Sequence, residues 1–333
     1  MAGTRADFKI YNEYISTGMV EVLTQVSDAF NAASRGTILL TAVNRKGDFV
    51  YESFFSNTAN LITRRDPTST ADADTKKLSQ GEMVTVKVNR KVGPVDQTID
   101  SFKKINHGPF DENAMDFAIG EQAGKAMQIE MLNTGLAAVR GALQGQPGSF
   151  VDKSAVTTGI ATVDLVDTLA TFGDAAANIL LWVMHSAQYY RLVKEQILSN
   201  IDGVSSFNIA SATPLSLNRP ILVTDSPALV TNVPANGGDP AYNVYSALGL
   251  TAGAVQLEDS EETTMFRDWV TGKENLIVRI QGEYAYNIGL KGFTYDVASG
   301  GANPDATALA TGANWDPALG DLKNRAGVVL KTR

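Results

Sequence analysis

Apolar positions along the chain switch between two periods, and the switches mark out its elements. Residues 8–33 carry Phe8, Tyr11, Ile15, Met19, Val22, Val26 and Phe30 at spacings of three and four. This predicts an amphipathic helix, with Gly36 as its stop. Its single apolar stripe needs a cover, which a neighbouring copy would supply. From Thr37 the period shortens. "TILLTAV" and "GDFVYESFF" have strand composition, and in "MVTVKVNRKV" Val84, Val86 and Val88 alternate with Thr85, Lys87 and Asn89. Residues 57–82 between them are polar, so the pattern predicts an extended hairpin. Two strands alone are marginal in water, and the arm is expected to rest on something outside its own domain.

The helical period returns over 111–144, where Met115, Ile119, Ala123, Ala126, Ile129, Leu132, Leu136, Val139 and Leu143 form one stripe. Asp111 is the expected N-cap, with Phe110 and Met115 at the staple positions. Gly145 and Pro147 end the helix. About 33 residues at roughly 1.5 Å each make a rod of about 50 Å. Its stripe is rich in Ala and Gly, as suits a spine lying flat on a sheet.

Residues 150–253 read as an α/β lobe. "TVDLVDTLATFG" is a short helix, "NILLWVM" a buried strand, "SAQYYRLVKEQIL" a second helix, and "RPILVTDSPAL" a short strand stopped by Pro227. Residues 254–297 are rich in strand, with Gly282, Gly289 and Gly292 as bulge candidates. The stretch 298–320 is loop-like by composition, and "AGVVLKT" is expected to close the chain as an edge strand. The whole is α+β, and no short-period repeat is present.

Composition narrows the function. The 333 residues carry 36 acidic and 28 basic side chains, a net charge of −8. That disfavours a dedicated nucleic-acid binder, whose affinity comes from neutralised phosphates. There are no cysteines and two histidines. Disulfides, thiolate metal sites and cysteine nucleophiles are excluded, and no H-E-x-x-H zinc motif occurs. Neither phosphate-loop pattern is present. The first residues lack the apolar core of a secretory signal, and the longest apolar run, around Ala175–Met184, is far short of a membrane span.

His185–Ser186 is the one place where catalysis suggests itself. Neighbours on an extended segment point to opposite faces, which argues against a Ser–His pair. Ser186 reads instead as the N-cap of the following helix, so Ser186→Ala is expected to cost about 1 kcal/mol. His107 reads as a turn residue. The cluster Glu258, Asp259, Glu261 and Glu262 lacks calcium-loop spacing and reads as a solvated acidic loop. Basic residues around Arg90–Lys91 and Lys103–Lys104 lack stacking aromatics and read as intersubunit ion-pair donors. No catalytic, cofactor-binding or metal site is expected.

Several segments in order resemble the major capsid proteins of tailed bacteriophages, with the Hong Kong phage-type capsid fold, especially those of short-tailed phages. "GTILLTAVNRKGDFVYESFF" precedes an arm, and "FDENAMDFAIGEQAGKAMQIEMLNTGLAAVRGAL" looks like the spine helix. "ILLWVMHSAQYYRLVKEQI" is similar to the strand and helix of the axial domain, and "RPILVTDSPAL" to the strand after it. "GLKGFTYD" and "NPDATALATGANWD" look like the closing peripheral segment.

The resemblance implies an N-terminal helical arm at 1–36, an extended loop at 37–105 and a peripheral domain with the spine helix at 106–150. An axial domain at 151–253 and peripheral return strands with the C-terminal segment at 254–333 follow. It further implies pentamers and hexamers of an icosahedral shell around double-stranded DNA, assembled in the host cytoplasm and present in the virion. A decoration or cement protein, a portal and a scaffolding protein are the implied partners, with no membrane and no sequence-specific DNA contact. No residue pair for a covalent lysine–asparagine crosslink is identified. Arg64, Arg65, Lys76 and Lys77 on the arm, facing Glu261 and Glu262 of another copy, are the expected contacts. The alternatives are an encapsulin-like compartment shell and a Ser-dependent hydrolase built on the 151–253 lobe with Ser186, Asp225 and a histidine. The missing G-x-S-x-G elbow counts against the second.

Overall fold

A computed structural model describes residues 31–41, 47–55, 62–65, 67–70, 72, 75, 77, 80–98, 100, 112–155, 159–202, 219–235 and 240–333. In chain order its strands are β1 (Ile38–Thr41), β2 (Phe49–Phe55), β3 (Gln80–Thr98), β4 (Phe150–Asp152), β5 (Ile179–Met184), β6 (Ile221–Val223), β7 (Val230–Val233), β8 (Tyr242–Thr251), β9 (Val255–Val270), β10 (Ile277–Leu290), β11 (Phe293–Tyr295), β12 (Trp315–Pro317) and β13 (Gly327–Thr332). The helices are α1 (Glu112–Gln144), α2 (Thr162–Ala170), α3 (Ser186–Asp202), α4 (Val297–Gly300) and α5 (Ala306–Ala310). Of the predicted first helix, only Asn31–Ala33 is described, and it is helical. The chain then turns at Gly36, whose amide donates to Asn31 O at 3.1 Å.

One sheet has five strands in the order β1-β9-β10-β3-β2, with β1 parallel to β9 and the other pairs antiparallel. β2 and β3 form the predicted hairpin, Phe49 opposite Val86 and Phe55 opposite Gln80. The base of the arm finds support outside the segment 37–105 but within the same chain. β3 runs on and pairs with β10 from Val86 to Thr98. The 83–92 alternation fits this double role: Val84, Val86 and Val88 are buried on one face. A bulge interrupts this ladder between Ile280 and Gly282, as the glycine suggests. Gly289 instead sits in regular register opposite Gln256, and Gly292, at φ 75°, turns the chain into β11. The acidic run is also corrected: residues 258–262 are not a loop but part of β9, with Glu258 opposite both Thr41 and Asn287. Leu257 and Ser260 on either side of Asp259 are buried, and that pairing outweighs the charge.

The second sheet orders β4-β13-β8-β5-β6, with β7 also on β8. β13 is no edge strand: it pairs parallel with β4 and antiparallel with β8. Its run of apolar residues fits burial on both faces. Val329 joins one core, with Leu181, Val183, Leu248 and Leu250, while Val328 and Leu330 join another with Ile179, Trp182 and Met184. This sheet is therefore a middle layer. Leu165, Leu169 and Leu192 of α2 and α3 fill one face, and Val139 and Leu143 of α1 belong to the core on the other.

α1 forms over 33 residues as its period predicts, but with its stripe rotated. Met127 and Met131 are buried, whereas Ile129 is 61% exposed. From Thr134 to Val139 every residue is buried, because strands, lobe and C-terminal segment all press on this half. Glycines permit the closest approach: a Cβ on Gly141 would stand 2.2 Å from the Ala310 carbonyl oxygen. The supposed loop at 298–320 contains α5 and overlaps α4. Asp296 and Asp305 cap them through the amides of Ala298 (2.9 Å) and Ala308 (2.7 Å). Trp315 anchors this segment, buried with its Nε1–H on Leu309 O at 2.9 Å.

Candidate functional site

The residues expected to make contacts scatter along the arm and β9. Arg64, Arg65 and Lys77 are exposed between β2 and β3, and Lys76 lies outside the described residues. Glu261 and Glu262 lie in β9, with Glu261 opposite Ala285. Asp111, His107, Lys103 and Lys104 also lie outside the described residues. Large apolar groups stand uncovered on and beside the arm strand: Tyr51, Phe55 and Ile62 are all exposed, Phe55 at 68%.

His185 takes the role expected of Ser186. The helix begins at Ser186, and the Ala187 amide donates to His185 Nδ1 at 3.1 Å. Gln188 and Tyr189 donate to the His185 carbonyl. The cap acceptor is thus an imidazole nitrogen one residue early. Nε2 faces Asp225 Oδ1 at 3.8 Å, and Tyr245 lies against the ring at 5.1 Å between centroids. Nδ1 is taken up by the cap and Nε2 faces a carboxylate, which is the arrangement of a helix start rather than of a Ser–His pair.

A polar hub joins the arm to the long helix. Glu130 Oε1 accepts from Arg90 Nε at 2.7 Å and from the Thr134 hydroxyl at 2.9 Å. Its Oε2 accepts from the hydroxyls of Tyr284 (3.0 Å) and Tyr286 (2.8 Å). The two rings stack, 6.0 Å apart and 15° from parallel. One carboxylate therefore ties α1 to β3 and β10. Burial first, then the Glu130 charge, pushes both phenols far above their ordinary range. Burial would lower the pKa of Arg90, but the bond to Glu130 and the charges of Glu130 and the two tyrosines together outweigh it. Arg90 is thus paired within its own chain, not held for a neighbour. Across the same sheet Arg279 donates twice to Asp96, at 2.6 Å each.

The hub was missed in the sequence, although its signal is present. Glu130 and Thr134 are four apart on a helix, and Tyr284 and Tyr286 share one face of a strand. Nothing local says that these two surfaces meet. A cleft of about 210 Å³ lies at the arm's base, lined among others by Glu52, Met83, Gln256, Lys291 and Phe293. Among the described residues, no group of three His, Cys, Asp or Glu side chains is placed to hold a metal ion. No described helix is long and apolar enough to cross a membrane.

The family model Gp13-like, described as major capsid protein 13-like, matches residues 7–329. The chain belongs to this family of major capsid proteins. Its place is the virion capsid, and its role is structural. A search of curated proteins finds no match to this capsid protein. Among solved structures it is similar to a chain from Microbacterium phage Oxtober96, at 14% identity and a TM-score of 0.50, covering 90% of this chain and 91% of that one. A capsid chain of cyanophage P-SCSP1u gives 13% identity and 0.48, with 90% and 86% covered. A chain from Mycobacterium phage Adephagia gives 12% and 0.49, with 88% and 87% covered. At 14% identity the likeness to the Oxtober96 chain is one of fold alone. The capsid protein's α+β architecture is the phage capsid fold the sequence resembles, and nothing in these matches supports the compartment-shell or hydrolase alternatives.

Proposed function

We propose that copies of this chain assemble as pentamers and hexamers into an icosahedral shell around double-stranded DNA. The observation that carries this is the family match over nearly the whole chain. Incompletely covered elements support it: an arm strand with exposed Tyr51 and Phe55, and a long helix with Ile129 facing outward. In a closed shell each contact is repeated many times, so modest pairwise affinities suffice. In this reading the segment 37–105 lies over an adjacent subunit, and 106–150 with 254–333 forms the peripheral domain. The lobe at 151–253 gathers at the symmetry axes. Arg64, Arg65, Lys76 and Lys77 meet Glu261 and Glu262 of a neighbour. A decoration protein, a portal and a scaffolding protein belong to the same proposal, as does the likeness to short-tailed phages. The net charge of −8 keeps the inner wall from gripping packaged DNA.

Electron cryomicroscopy of the expressed, purified protein tests this reading. Closed shells with five-fold vertices and six-fold faces are the expected image. Linear filaments or dispersed subunits at every concentration would refute it.

A further inference from the structure

Among the described residues, three part-buried arginines find strong acceptors within the chain. Arg90 has Glu130. Arg219 donates to the carbonyls of Ile179 at 2.7 Å and Ala176 at 2.8 Å. Arg325 donates to Leu319 O at 3.2 Å and lies over the Phe293 ring at 5.9 Å. Arg140, on the long helix, is half-buried, and its Nε is buried with no acceptor among the described residues. Its Nη1 donates to the Thr231 hydroxyl at 3.3 Å. Burial lowers its pKa, and no carboxylate among the described residues opposes the shift.

The surroundings set where an acceptor would enter. One turn further along α1, Gln144 Nε2 donates to Ser246 Oγ at 3.1 Å, and two turns back Asn133 accepts from Ser226. The helix is thus closed against the lobe on both sides of Arg140. At Arg140 the contact is β7, which pairs only with β8 among the described residues, and whose Thr231 and Asn232 are exposed. The guanidinium therefore sits at a rim open to the surface.

We infer that Arg140 is an anion-receiving position completed by a carboxylate from a second copy of the chain, entering between α1 and the outer edge of β7. The inference rests on the reading of the chain as a shell-forming capsid protein. A planar fork with unfilled donors matches a carboxylate through two parallel bonds. The 36 acidic against 28 basic side chains leave carboxylates without partners in each copy. A shell of identical subunits brings such groups to this rim at high effective concentration, whereas the same acidic balance repels nucleic-acid phosphate.

The test uses the full-length chain with Arg140→Gln and Arg140→Lys. Wild type must first form shells; if it does not, the shell reading falls and this inference with it. Where wild type assembles, Arg140→Gln is expected to raise the threshold concentration for shells about tenfold. The unfolding midpoint of its unassembled chains should stay unchanged or rise, because a poorly paired buried charge has been removed. Arg140→Lys shells, built from mixed heavy- and light-nitrogen copies and treated with a carbodiimide, should yield amide-linked peptides from residue 140 carrying both labels. A lower midpoint with normal assembly of the folded fraction would make Arg140 an internal support only. Normal shells with less packaged DNA would assign the site to phosphate. Cross-links confined to one label would place the carboxylate in the same copy. Each of these three results overturns the inference.

Discussion

Four donors converge on the Glu130 carboxylate, and three of them come from other elements. Removing its charge leaves Arg90 and two buried phenols with a weaker acceptor. Glu130→Gln should therefore lower stability by about 2–3 kcal/mol, measured by chemical denaturation of the unassembled chain. The tyrosines add a pH signature. Each keeps its proton in the fold beyond the pH at which an unfolded tyrosine ionises, about 10. Their contribution is full below that value and is lost as pH rises above it. An alkaline titration followed by phenolate absorbance should show a group of tyrosines that ionise only as circular dichroism is lost. Smooth ionisation of all ten tyrosines in the folded chain would contradict the hub. At His185, the cap bond predicts that His185→Ala costs about 1 kcal/mol, while Ser186→Ala stays within about 0.5 kcal/mol. The sequence signalled a helix start here but named the wrong residue, because an imidazole nitrogen can stand in for the usual hydroxyl acceptor.

Periodicity located α1, the β2–β3 hairpin and the β5–α3 unit, where one face of each segment is apolar. It failed where neighbours decide. The stripe on α1 is rotated because Glu130 turns inward to the sheet, and Ile129, next along the helix, is carried outward. Acidic composition hid the strand character of residues 258–262 within β9, and a Gly- and Ala-rich composition hid α4 and α5, whose caps at Asp296 and Asp305 are legible only afterwards. The close crossing at Gly141 gives a sharp prediction. In an exposed helix, Gly→Ala gains about 1 kcal/mol. Here the new methyl meets the Ala310 carbonyl, and overpacking costs about 1–3 kcal/mol, so Gly141→Ala should destabilise on balance. A raised thermal midpoint would contradict the packing. β13 offers a second test. Because it lies between β4 and β8 and feeds both cores, a chain ending at Arg325 should lose the folded lobe, seen as rapid proteolysis within 150–251. An edge strand would be lost with little effect.

At the scale of the molecule, the long helix serves two masters. Its middle is bound to the arm strands through Glu130, and its last turns pack in one core with the lobe's middle sheet. What the chain leaves uncovered follows the same division: apolar rings on the arm, basic residues beyond it and, at the lobe's rim, a guanidinium with only a hydroxyl partner among the described residues. Arg64→Glu with Arg65→Glu should prevent shells while leaving helix content unchanged, which paired electron microscopy and circular dichroism would report. Unaltered shells would remove those two residues from the contact. The most direct test of the account is sedimentation velocity on the purified wild-type chain over a range of concentrations. The account predicts a sharp onset of one large, closed species with little between it and the subunit or capsomer. A single slow-sedimenting monomer at every concentration, with its arm resistant to protease, would contradict it.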